Sequence, residues 1–141
     1  MIGNQMTRIL LTTFFATAST AALAGGHAAP MVMASDQSVA NGIVSAEKIV
    51  APENGWLVVH RTDADMAPGV VVGHAPIRKG ETADVAAILT EEVAAGDMLM
   101  LMVHAENGGM ATGSFEYTLG AKEDGPIRVD GNLVMSVITA Q

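Results

Sequence analysis

The chain has 141 residues, half of them hydrophobic, with seven basic and fifteen acidic side chains for a net charge of −8, and it has no cysteine. The acidity excludes nucleic acid and anionic membrane as partners, because the phosphate field would repel the protein. The lack of cysteine excludes a disulfide framework, a thiol nucleophile, a thiolate metal site and a cysteine-linked lipid anchor.

Residues 1–24 read as an export signal. Arg8 stands in a short polar lead, Ile9–Leu23 form an uncharged, mostly apolar run, and Ala22-Leu23-Ala24 supplies small residues where a signal peptidase cuts. That run is short for a membrane span, and no later stretch approaches the roughly 20 apolar residues a crossing helix needs. The sequence therefore predicts a periplasmic or secreted protein with no membrane insertion after processing. The remaining 117 residues suffice for one domain. Arg8 leaves with the signal, so six basic residues face fifteen acidic ones, a net charge of −9.

A cut after Ala24 creates the N-terminus Gly25-Gly26-His27. A free amine, two amide nitrogens and an imidazole in that order can wrap Cu(II) or Ni(II) in a square plane. A cut after Ala28, where Gly26-His27-Ala28 also fits the small-x-small pattern, removes the motif. Met31 and Met33 follow closely, and their thioethers are soft donors suited to Cu(I). Gly25, Gly26, His27, Met31 and Met33 are thus the candidate metal ligands, and copper the candidate cofactor. The competing reading of the two methionines is filler in an irregular core.

Residues 25–40 are rich in Gly, Ala and Ser without sustained periodicity and read as a flexible leader. From 41 to 141 the texture becomes short β-prone runs between turn signals. The runs are Ile43–Val50, Trp56–Arg61, Val70–Ala75, Ala83–Leu89, Met98–Ala105, Ser114–Leu119 and Leu133–Thr139. Asp84–Ala95 is the one helix candidate, although Thr82–Val85 reads equally as a strand start. Seven evenly spaced strands with Gly/Pro turns predict an all-β sandwich of antiparallel strands.

Alternation marks the central strands. Trp56, Val58 and His60 share one face, and Leu57, Val59 and Arg61 the other. Met98, Met100, Met102 and His104 share a face opposite Leu99, Leu101, Val103 and Ala105. A strand apolar on both sides must have its outer face covered by a loop, a partner protein or a ligand. Met98–Ala105 is accordingly the candidate surface for a protein partner.

A set of short strings carries a family resemblance. These are Gly55-Trp56-Leu57-Val58-Val59-His60, Pro68-Gly69-Val70-Val71-Val72-Gly73, Gly80 with Val85, Gly96-Asp97-Met98-Leu99 running into Met102-Val103-His104, and Asp124-Gly125-Pro126 before a final strand. The chain resembles a family of secreted domains of unknown function, common in haloarchaeal surface proteins and found in bacterial exported proteins. The resemblance spans roughly residues 43–140, implies an immunoglobulin-like β-sandwich and supplies no catalytic residue. Members often carry an Asp/Asn/Gly-rich loop after the histidine of the fifth strand. Here Glu106-Asn107-Gly108-Gly109-Met110 has no aspartate, which speaks against calcium there.

The other chemistry-bearing residues give weaker signals. His60, His74 and His104 each end an apolar strand. With strands alternating in direction, His74 and His104 fall near one end and His60 at the other, so the expectation is strand-end histidines bonded to loops. Met98, Met100 and Met102 would space their sulfurs about 7 Å apart along a strand, too far to share one ion unaided. Asp63 and Asp65, and Glu91 and Glu92, read as solvated charge. No nucleophile elbow, metalloprotease helix or phosphate loop is present. The sequence favours a non-enzymatic binding or structural module, with periplasmic copper binding through His27, Met31 and Met33 as the alternative.

Overall fold

A computed structural model describes residues 26–141. The described residues form an all-β domain whose strands are β1 (Met31–Met33), β2 (Ile43–Ala51), β3 (Gly55–Thr62), β4 (Val71–Ile77), β5 (Gly80–Leu89), β6 (Met98–Ala105), β7 (Arg128–Val129), β8 (Asn132–Leu133) and β9 (Met135–Thr139). Seven of them make one antiparallel sheet in the order β1-β2-β5-β4-β3-β6-β9, and β7 and β8 form a separate hairpin. The sheet curls until β1 lies against β6 and β9, giving the layered, nearly closed shape expected of a sandwich.

Alternation decides what fills the interior. The inward residues, such as Val44, Ile49, Leu57, Val59, Leu99 and Leu101, pack into one continuous core and are fully buried. Each such side chain contributes about 1.5–3 kcal/mol by leaving water. The hairpin turn is Asp130-Gly131, both at positive φ (51° and 81°), the geometry that a two-residue turn between strands requires.

Two segments differ from expectation. Residues 31–33, expected in a flexible leader, form edge strand β1, with Met31 opposite Val50 and Met33 opposite Lys48. A single inward residue, Val32, buries this strand, too little pattern to stand out in sequence. Beyond it the Gln37 amide imitates a strand neighbour. Its Nε2 donates to the Ser45 carbonyl (2.9 Å) and its Oε1 accepts the Ser45 N–H (2.8 Å). Ser114–Leu119, expected as a strand, pairs with nothing and lies in the long connection from β6 to β7. The helix candidate Asp84–Ala95 is strand as far as Leu89 and turns afterwards.

The Met98–Ala105 strand presents no free face. Met100, Leu101, Met102, Val103 and His104 are all buried within the chain, so the exposed apolar surface that would have called for a partner there does not exist. The connection 106–127 supplies the cover on its outer side through Phe115 and Tyr117, which pack on the His104 ring, and it returns beside the end of β6, where Gly125 O accepts the Ala105 N–H, Ile127 N–H donates to Val103 O and Pro126 sits opposite His104.

Candidate functional site

The outer face of the β3–β6 pair gathers most of the chain's unusual side chains. Register places His60 opposite Met100, Val58 opposite Met102 and Trp56 opposite His104. Val58, His60, Met100, Met102 and His104 are completely buried and Trp56 nearly so, yet none of them belongs to the aliphatic inner core. Gly55 makes the pairing at the His104 end feasible, because a Cβ there would collide with the His104 carbonyl oxygen.

Every aromatic residue beyond position 25 joins this face. These are Trp56, Phe115 and Tyr117. Phe115 stacks on His74 with ring centroids 4.4 Å apart. Tyr117 stands edge-on to His104 at 4.5 Å and to His60 at 5.9 Å. Trp56 meets both Phe115 and His74, and its indole N–H donates to Glu106 Oε2 (2.8 Å). The Phe115-x-Tyr117 alternation that suggested a strand instead drops two rings onto the histidines.

Asp124 fastens this cover. Its buried carboxylate accepts the Asn107 N–H (3.0 Å) and the Glu116 N–H (2.8 Å), and its own N–H donates to Asn107 O (2.9 Å). One carboxylate thus ties both ends of the loop and its middle.

The two buried histidines meet. His60 Nε2 and His104 Nε2 lie 3.3 Å apart, although their backbones stand four register positions apart along β3. Both rings are anchored through the other nitrogen. His60 Nδ1 donates to the Gly69 carbonyl (2.9 Å) and His104 Nδ1 to the Asp124 carbonyl (2.6 Å). A bulge between Val59 and His60 in the β3–β4 register sets the His60 end; such irregularities re-aim side chains. Gly69 approaches so closely that a Cβ would lie 2.7 Å from the Arg61 carbonyl oxygen. The expectation that His60 stays at the opposite end from His104 fails for this reason: the rings lean toward each other along the strands.

Electrostatics keep the pair neutral. Burial pushes His104 down to about 4, against the opposing bond to the Asp124 carbonyl and with some help from His60. Burial also lowers His60, partly offset by Gly69, and it lowers His74. Carbonyl oxygens only accept, so each Nδ1 carries the ring's one proton. Both Nε2 atoms therefore present lone pairs to each other.

The residues singled out at the N-terminus fall elsewhere. Gly25 lies outside the described residues, as does the signal sequence with its first cut site at Ala24. Gly26 and His27 are exposed; Met31 is half-buried and Met33 45% exposed, the two methionines sharing the side of β1 opposite Val32. None of them enters the ring contacts or hydrogen bonds of the buried pair. Among the described residues no group of three or more His, Cys, Asp or Glu gathers at metal-binding distance. Asp63 and Asp65 sit in an exposed turn, and Glu91 with Asp97 holds Arg61 at the surface.

A family model described as a domain of unknown function, DUF7282, matches residues 30–141. Comparison with curated proteins and with solved structures finds no match.

Proposed function

The chain belongs to this DUF7282 family, and from that premise we propose that it is an exported, non-enzymatic binding domain whose ligand is held beneath the 106–127 connection. Export rests on the signal-like first 24 residues. The enclosed outer face of β3 and β6 carries the binding reading: two neutral imidazoles stand under aromatic rings, with unshared Nε2 lone pairs between them. Hydrolysis is poorly served by the same geometry. Each Nδ1 is held by a backbone carbonyl instead of a carboxylate, and both rings are shielded from solvent.

A screen of the whole protein against transition-metal ions, calcium, short peptides and neutral sugars tests this, with Trp56 emission and Tm as signals and ester and peptide hydrolysis followed alongside. The expected result is a ligand that moves both signals without turnover. Turnover lost in His104→Ala would contradict the non-enzymatic reading, and a screen in which no ligand moves Trp56 would contradict binding at this face.

A second reading places Cu(II) or Ni(II) at a processed N-terminus. It is favoured by an exposed His27 followed by Met31 and Met33 on one side of β1. It predicts one tight Cu(II) per chain beginning at Gly25, absent from His27→Ala. Unchanged uptake in that variant would overturn it.

A further inference from the structure

We propose that His60 and His104 form a site for one copper(I) ion, with the thioethers of the Met100–Met102 face of β6 as its soft flank. The inference rests on the binding-module reading above and names the ligand.

Hydrogen bonding within the chain leaves the histidine pair unsatisfied. With both Nδ1 protons committed to Gly69 O and Asp124 O, no proton remains for either Nε2. Two lone pairs 3.3 Å apart and sealed from water repel each other, and a buried acceptor without a donor is costly. A cation between them reverses the sign of that contact. An ion at about 2.0–2.1 Å from each nitrogen, the usual imidazole distance, would see the two Nε2 atoms at an angle of about 107° given their 3.3 Å separation. That is the tetrahedral angle. The anchoring matches what metal-bound imidazoles need: the far N–H given to a carbonyl fixes ring and tautomer and makes the near nitrogen a better donor.

The donor set selects the ion. Zinc takes three protein ligands in catalytic sites and four in structural ones, drawn from thiolate, imidazole and carboxylate. Among the described residues no third such group joins the pair. What lies on the same face is thioether: Met100 opposite His60 and Met102 beside it, both fully buried. Thioether with imidazole suits Cu(I). Charge agrees, since a monovalent ion among neutral donors is cheaper to bury than a divalent one. The buried Asp124 carboxylate, whose chain also supplies the carbonyl that anchors His104, is a counter-charge close by.

The competing arrangement is a single proton shared between the rings. Such a proton would make the pair cationic, and burial, which lowers both His104 and His60, opposes a charge there.

The test is an anaerobic Cu(I) competition between the full chain and a chromophoric Cu(I) chelator, with Trp56 emission followed in parallel. Trp56 is the chain's single tryptophan and stands opposite His104, so its emission reports on this face. Wild type and His27→Ala should each withdraw one equivalent of Cu(I) and quench Trp56. His60→Ala and His104→Ala should weaken uptake by about 100-fold or more. Met102→Leu conserves volume and so keeps the fold; it should weaken Cu(I) roughly tenfold with Tm nearly unchanged.

Folded wild type that withdraws no Cu(I) would overturn the proposal, as would uptake lost in His27→Ala or a preference for zinc(II) or Cu(II) at the pair. Equal affinity in Met102→Leu would overturn the role of that thioether. If another ligand moves Trp56 while Cu(I) does not, the copper assignment fails and the binding reading stands; if nothing does, both fail.

Discussion

The two faces of the β3–β6 pair are equally buried and built for different ends. The inner face, with Leu57 and Val59 against Leu99, Leu101 and Val103, is aliphatic and belongs to a core formed by the whole sheet. The outer face, with Trp56, Val58 and His60 against Met100, Met102 and His104, is covered by a single connection clasped at Asp124. An inner face of this kind needs volume and apolarity. The outer one spends burial on polar atoms that water would otherwise satisfy, which is how functional sites usually differ from cores.

Substitutions should separate the two faces. Leu101→Ala removes inner packing and should cost about 2–5 kcal/mol in urea unfolding, leaving any ligand affinity of the folded fraction intact. Loss of Trp56 quenching in the folded fraction would show that the faces are coupled.

Acid should act on the outer face. His104 is pushed down to about 4 from an ordinary 6.5, so between those values the unfolded chain binds the proton more readily than the folded one. Its contribution is complete above about pH 6.5 and falls away as pH drops toward 4, by roughly 3 kcal/mol in the ligand-free protein. The groups facing it are His60, Tyr117 and Asp124, and His60 is shifted in the same direction. Unfolding midpoints across pH 4–7 measure this, and His104→Gln should flatten the profile; a slope unchanged in that variant would remove His104 as its source.

Asp124→Ala leaves the Asn107 and Glu116 N–H groups without their acceptor. A cost of about 1–3 kcal/mol is expected, with faster amide exchange confined to residues 106–124 and the sheet still protected. Exchange that rises evenly through the sheet would show that the cover is no separate unit.

The smallest effect belongs to the exposed polar cluster. Arg61 bonds Asp97 and Glu91 at 3.0 and 3.3 Å, and Asp97 is held low first by the Ala94 N–H and then by Arg61. Screened by solvent, these pairs should leave Tm almost unchanged in Arg61→Ala. A larger loss would place Arg61 among the structural groups.

The central strands were legible because alternation is strong there; Met98–Ala105 carries it on both faces and coincides with β6. β1 was not, since one buried valine gives no period. Phe115-x-Tyr117 misled because alternating rings serve a loop that lies on a sheet as well as they serve a strand. The histidine pair was hidden for a geometric reason. Register sets His60 and His104 four positions apart, and side chains that lean along the strands close that gap without a trace in spacing. A clue was present in composition: beyond residue 25 the chain has three aromatic residues, and all three pack around its histidines.

Nitrogen-15 NMR of the imidazoles tests the built character of the outer face most directly. Near neutral pH, His60 and His104 should both be neutral Nδ1–H tautomers, and one equivalent of Cu(I) should shift both Nε2 resonances together. A ring protonated at Nε2 and donating to its neighbour would contradict this, because the pair would then satisfy itself and hold no place for an ion.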